Sequence, residues 1–140
     1  MEHTIKFRGK EIDSNKWLYG DLFQRSGCYP EILFPYFDKK GKTQYAEIAV
    51  KEKTVGQFIG RKDKNKTEIY DGDIITVNGD FPKLVKFIPE RASFCIANIC
   101  DLNNQNQLDI WMQPPISWWY KLDIDVIGNI HDNPELLNIN

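Results

Sequence analysis

A chain of 140 residues with 41% hydrophobic and 13% aromatic side chains is long enough to bury a core without disulfides and too apolar for a disordered polypeptide. Its net charge of −2 excludes a protein whose main task is to neutralise a long run of phosphates, because non-specific affinity for nucleic acid grows with the counterions released. Cys28, Cys95 and Cys100 share no CxxC spacing, which excludes a standard zinc site or disulfide framework and makes a reducing cytoplasm the expected compartment. The opening residues MEHTIKFRGK lack the layout of a signal peptide, and no stretch approaches the roughly 18 apolar residues of a membrane helix. A soluble, intracellular protein without a membrane partner is expected.

In chain order, Ile5 and Phe7 alternate with Lys6 and Arg8, Asp13-Ser14-Asn15 makes a turn, and Trp17, Tyr19 and Leu22-Phe23 follow, which predicts a hairpin. Trp17 and Tyr19 share one face at period two, and that face is expected to pack on the core instead of forming a ligand platform. Residues 32–37 and 45–50 are two further strands joined by Asp38-Lys39-Lys40-Gly41-Lys42. Pro35 has no N–H for a ladder, so its strand is expected to be short, bulged or at a sheet edge. Lysines near such an edge discourage stray pairing.

Residues 56–77, GQFIGRKDKNKTEIYDGDIITV, read as two strand-like arms around the basic tip Arg61-Lys62-Asp63-Lys64-Asn65-Lys66. As a nucleic-acid site this tip has four cations but no interleaved aromatic for base stacking, so a solvated loop is its default reading. At the Asp71-Gly72-Asp73 corner the carboxylates are placed to bond nearby backbone N–H groups, and residues 74–77 form a buried strand. Asn78-Gly79 is a turn signal inside a longer loop that runs through Pro82. Residues 83–88 and 93–100 pair antiparallel across the Pro89-Glu90-Arg91 turn, with Cys95 and Cys100 on opposite faces as packing residues.

The Asn/Gln tract at residues 103–107 is expected to be a mobile loop, followed by a short apolar run at 108–112 and a stop at Gln113-Pro114-Pro115. Extended backbone at Trp118-Trp119-Tyr120 must expose at least one ring, for an oligomer contact, for base stacking or for packing beneath the preceding loop. Residues 125–130 form the last strand. Asn133 as cap, Pro134 at the first position and Glu135 near the dipole predict a short C-terminal helical turn, with Leu136 and Leu137 packed back.

Charge is unevenly spread: residues 38–66 hold nine Lys/Arg against four Asp/Glu, whereas residues 101–140 hold Lys121 alone against six acids. The titratable groups His3, His131, Asp71/Asp73 and Asp123/Asp125 have no catalytic motif around them: HExxH, GxSxG, a Walker loop and GxGxxG are all missing from the sequence. No catalytic, cofactor or metal residue is assigned.

The blocks IKFRGK (5–10), WLYGDL (17–22), GQFIGRKDKNKTEIYDGDII (56–75) and DVIGNIHDNPELL (125–137) together resemble the YopX family, in the family's order and over nearly the whole chain. That resemblance implies a phage or prophage protein of a bacterial cytoplasm, mainly β, with an SH3-type small β-barrel, additional hairpins, and self-association into oligomers. It implies no established activity and no cofactor. Gly56, Gly60, Asp71, Gly72, Asp73, Gly128 and Asn129 then set turns and registers. One domain over residues 1–140 is expected, with an N-terminal hairpin region (1–50) packed as a subdomain on the barrel (51–140).

The leading expectation is a non-enzymatic oligomeric binding module whose further partner is a phage or host macromolecule. Arg61, Lys62, Lys64, Trp118 and Trp119 form its candidate interaction surface. One alternative is a nucleic-acid-binding protein using Lys39, Lys40, Lys42, Arg61, Lys62, Lys64 and Lys66 on phosphates and Trp118 on a base. The other is a metal-dependent hydrolase or nuclease using Asp71 or Asp73.

Overall fold

The computed structural model describes residues 3–98, 115–116 and 122–137. Among them are ten β-strands and short 3₁₀ turns, with no α-helix, and the strands form two antiparallel sheets. The protein is mainly β. It divides into two compact units, Met1–Gly60 and Arg61–Asn140. The Asn/Gln tract, the run at 108–112, Cys100 and the Trp118-Trp119-Tyr120 triplet lie outside the described residues.

The first unit is a meander: β1 (Phe7–Lys10), β2 (Trp17–Phe23), β3 (Glu31–Phe37) and β4 (Thr43–Ala49), in the order β4-β3-β2-β1. The predicted hairpins are all present. β5 (Gly56–Lys62) crosses into the second unit, where its far end turns into β6 (Glu68–Tyr70). The register aligns Leu22 with Ile32 and Ile32 with Ile48. That aliphatic row marks the buried face, on which Ile32 is fully excluded from solvent.

The expectation for Trp17 and Tyr19 is therefore corrected. Their face is closed at β1, where Arg8 opposite Tyr19 is 5% exposed, and opens away from it: Tyr19 is 43% exposed and Trp17 half-buried. The same register puts Asp21, Glu31 and Glu47 on that face, so covering it would bury carboxylates at a cost the aliphatic face does not carry.

Of the three alternatives for Pro35, the strand is neither short nor bulged, and the edge is a local one. β3 is a full seven residues and its register with β4 is unbroken, Pro35 lying opposite Tyr45. Pairing with β2 ends at Leu33, so Pro35 sits where β3 is flanked on one side only and its missing N–H breaks no ladder.

The second unit holds β6, β7 (Asp73–Val77), β8 (Lys83–Ile88), β9 (Ser93–Asn98) and β10 (Ile124–Asn129), with the sheet order β10-β7-β8-β9. β7 is an inner strand, and Ile74 and Ile75, on opposite faces of it, are both fully buried; with both faces excluded from solvent its sequence runs apolar without alternation. Asn78 and Gly79 have φ of 52° and 74°, and Asp80 N–H donates to Val77 C=O at 3.0 Å: the turn signal is realised as a tight turn with both central residues left-handed, as in type I′, followed by a short link to β8. Cys95 is fully buried and Cys28 exposed.

Candidate functional site

On the open face of the first unit, β2 contributes Trp17, Tyr19 and Phe23, β3 contributes Phe37, and β4 contributes Tyr45. Phe37 is 77% and Tyr45 73% exposed. The Arg8 guanidinium lies 4.5 Å and the Lys10 ammonium 5.4 Å from the Trp17 ring centre, and Arg25 lies 5.1 Å from that of Phe23, geometry in which each cation meets the negative face of the ring. Arg25 also pairs with Glu31. The sequence pattern put Trp17 and Tyr19 on one face correctly but assigned that face to the core.

The hairpin tip beyond this face is held by Asp38, whose Oδ1 accepts from Lys40 N and Lys42 N at 2.9 Å each while Oδ2 accepts from Gln44 Nε2 at 3.2 Å. These bonds, led by that of Lys42 and then the Gln44 amide, hold the carboxyl below the ordinary aspartate value despite some desolvation. Lys39, Lys40 and Lys42 project into solvent around it.

The tip at residues 61–66 uses the same device. Asp63 N–H donates to Thr67 C=O at 2.8 Å, and its Oδ1 accepts from Asn65 N at 2.8 Å and Thr67 N at 2.9 Å. Unlike Asp38, Asp63 is buried, and its Oδ2 accepts from Val126 N on β10 at 3.0 Å. Lys64 N–H donates to Ile124 C=O at 3.0 Å and Asn65 Nδ2 to Asp125 Oδ1 at 3.1 Å. Arg61 Nη2 reaches Leu122 C=O at 3.4 Å. The main chain of the tip is thus pinned to β10, while the Lys62, Lys64 and Lys66 side chains remain exposed. Trp118 and Trp119 lie outside the described residues, and Lys39, Lys40 and Lys42 belong to the other unit.

The two tips differ at their fourth residue. Gly41 has φ 78°, whereas Lys66 occupies the equivalent left-handed position at φ 66°, a conformation that costs a side-chain-bearing residue about 1–2 kcal/mol. Lys66→Gly is expected to raise stability by about 0.5–1 kcal/mol after the extra unfolded-chain entropy of glycine is counted. Thermal melting measures this, and a lowered midpoint would show that the Lys66 side chain makes a compensating contact.

The sequence profile of the family described as YopX protein matches residues 6–138. The chain belongs to the YopX family. Among solved structures it is similar to protein EF1440 from Enterococcus faecalis, at 23% identity and a TM-score of 0.50, over 97% of this chain and 99% of that one. At that identity the likeness concerns the fold. No curated protein matches the chain.

In this YopX chain the fingerprint residues hold corners. Asp73, 2% exposed, accepts from Tyr70 N at 2.7 Å, and Asp71 accepts from Phe87 N at 2.8 Å. Gly72 N–H donates to Val85 C=O and its C=O accepts from Ile130 N, so the corner joins β6, β7, β8 and the end of β10. In the closing block, Asn129 Oδ1 accepts from His131 N at 3.0 Å and Asp132 N at 2.9 Å. Asn133 Oδ1 accepts from Asn129 N at 3.2 Å, over Gly128, where a Cβ would lie 2.5 Å from that oxygen. The 3₁₀ turn Pro134–Leu137 then delivers Leu137 into the cluster of Ile74, Leu84 and Ala97. Among the described residues no group of His, Cys, Asp and Glu side chains is placed to hold a metal ion, and no helix is long and apolar enough to cross a membrane.

Proposed function

We propose that this YopX chain is a non-enzymatic, phage- or prophage-encoded binding module of the bacterial cytoplasm, with an SH3-type barrel as its scaffold, that associates with copies of itself and holds a further macromolecule. The observation that supports it is the open aromatic face of the first unit, which ends in an edge strand. β4 is the outermost strand of its sheet and carries no proline or lysine between Thr43 and Ala49, leaving a row of main-chain groups of the kind that templates pairing with another chain. Edge pairing between copies would widen the aromatic face without covering it. A hydrolytic reading through Asp71 or Asp73 has less behind it, since both carboxylates engage main-chain N–H groups in the corner.

Val50 N–H donates to Pro30 C=O, on the β3 side, while Ala49 C=O accepts from Ile12 N on the other. By alternation the main-chain groups of Tyr45 and Glu47 point outward. Glu47→Pro therefore removes an outward donor and leaves the β3–β4 ladder intact. In multi-angle light scattering the wild-type chain is expected to exceed its monomer mass of 16.4 kDa and Glu47→Pro to fall to it, with a nearly unchanged melting temperature. A wild-type monomer at all practical concentrations would refute self-association.

A further inference from the structure

The β3–β4 hairpin combines, within ten residues of chain, the two chemistries that a single nucleic-acid strand requires. We propose that this hairpin binds single-stranded nucleic acid, with Phe37 and Tyr45 stacking on two bases and Lys39, Lys40 and Lys42 on the flanking phosphates. The proposal rests on the binding-module reading above and names the partner class.

Register places the rings. Phe37 lies opposite Thr43 and Pro35 opposite Tyr45, so Phe37 and Tyr45 share the open face as a diagonal pair across the two strands. Diagonal neighbours are about 7–8 Å apart, roughly twice the 3.4 Å rise per nucleotide of a stacked strand. Bases set on both rings must be pulled apart, which a single strand permits and a duplex does not. Both rings are free to receive them, at 77% and 73% exposure.

Charge selects the same partner. The tip carries three exposed lysines, and its one acid, Asp38, is turned inward onto the N–H groups of Lys40 and Lys42 and the Gln44 amide. Asp21 and Glu47, farther along the face, repel phosphate and bound the site on that side. The strand therefore crosses the hairpin near its tip and does not run the length of the sheet. An anionic membrane fits less well, because insertion needs apolar residues leading at the tip, and here the lysines lead while the rings lie behind them on one flank. The basic tip at residues 61–66 has the cations without the rings.

Fluorescence anisotropy of a labelled oligothymidylate about 20 nucleotides long, titrated with the full chain, tests this. Three phosphate contacts predict a slope of about −2 in log affinity against log salt, a loss of about 20-fold between 50 and 200 mM salt. Lys39→Gln/Lys40→Gln/Lys42→Gln is expected to flatten that slope, and Phe37→Leu/Tyr45→Leu to weaken binding about 10-fold or more at an unchanged slope. Circular dichroism confirms that each variant is folded. The proposal is overturned by no binding at 50 mM salt, by variants that bind as wild type, by preference for duplex or for phosphatidylserine vesicles, or by loss of binding in Lys62→Gln/Lys64→Gln alone. Light scattering on the same samples separates the two readings. A monomer that binds oligothymidylate sinks edge association and supports the hairpin site; an assembly that ignores it does the reverse.

Discussion

Gly20→Ala is expected to melt about 10 °C below wild type, taking roughly 3 °C for each kcal/mol in a chain of this size. Gly20 lies in β2 opposite Phe7 of β1, and a Cβ built there would lie 2.0 Å from the Leu33 carbonyl oxygen and 3.3 Å from Phe34 Cβ. The first contact is with main chain in the adjoining strand, so no rotamer change relieves it. β2 and β3 must separate by about an ångström or tilt, which strains the register that aligns Leu22 with Ile32 and loosens the buried aliphatic row. Overpacking of this kind costs about 3 kcal/mol or more, toward the upper end for single substitutions.

Gly9→Ala is the matched comparison. Its Cβ would meet Val50 Cγ2 at 2.8 Å and Val50 Cβ at 2.9 Å; a rotamer change moves the first but not the second, so the main chain must shift here too, by less than the 2.0 Å contact at Gly20 demands, and the expected loss is about 2 kcal/mol. Circular dichroism melts of the two variants decide the matter. If Gly20→Ala melts with wild type, the close approach of β2 and β3 is not what fixes this sheet.

The strands and their turns were legible because each is written locally. Asp38-Lys39-Lys40-Gly41-Lys42 contains both its Asx acceptor and its left-handed glycine, and Asn78-Gly79 contains its own type I′ turn. Which face of β2 meets the core is not local. Alternation shows that Trp17 and Tyr19 oppose Leu18 and Leu22, but the decision comes from the partners that register brings alongside: Ile32 and Ile48 on one face, Glu31 and Glu47 on the other. Aromatic rings tolerate exposure better than carboxylates tolerate burial. An edge proline was likewise the right chemistry for Pro35, yet the edge is only local, because β2 stops pairing at Leu33. The candidate surface was partly visible too. Lysines at residues 39, 40 and 42 stood out by charge, but their neighbours Phe37 and Tyr45 were assigned to strands without a face.

Asp63 was the least legible of all, since its decisive partner is 63 residues away. Read in sequence it is one acid among the cations of a basic tip. In the fold its carboxylate accepts from Asn65 N, Thr67 N and Val126 N. Asp63→Ala leaves those three donors without it. Asn65 and Thr67 are exposed and water replaces part of the loss, whereas Val126 is half-buried on β10, where an unpaired N–H costs about 1–3 kcal/mol. With the charge-assisted bonds of the turn included, the expected loss is roughly 3 kcal/mol. Asp63→Asn is no remedy, because its amide nitrogen would face a donor in one arm or the other. Lys64→Ala, by contrast, removes an exposed side chain and is expected to stay within about 0.5 kcal/mol of wild type. Hydrogen exchange locates the effect: the amides of Asn65, Thr67 and Val126 should lose protection in Asp63→Ala. Wild-type protection at Val126 would show that the tip is not pinned through this carboxylate. The same variant bears on the nucleic-acid site. If residues 61–66 were that site, loosening the tip would alter oligothymidylate affinity. With the site on the β3–β4 hairpin of the other unit, affinity per folded molecule stays at its wild-type value.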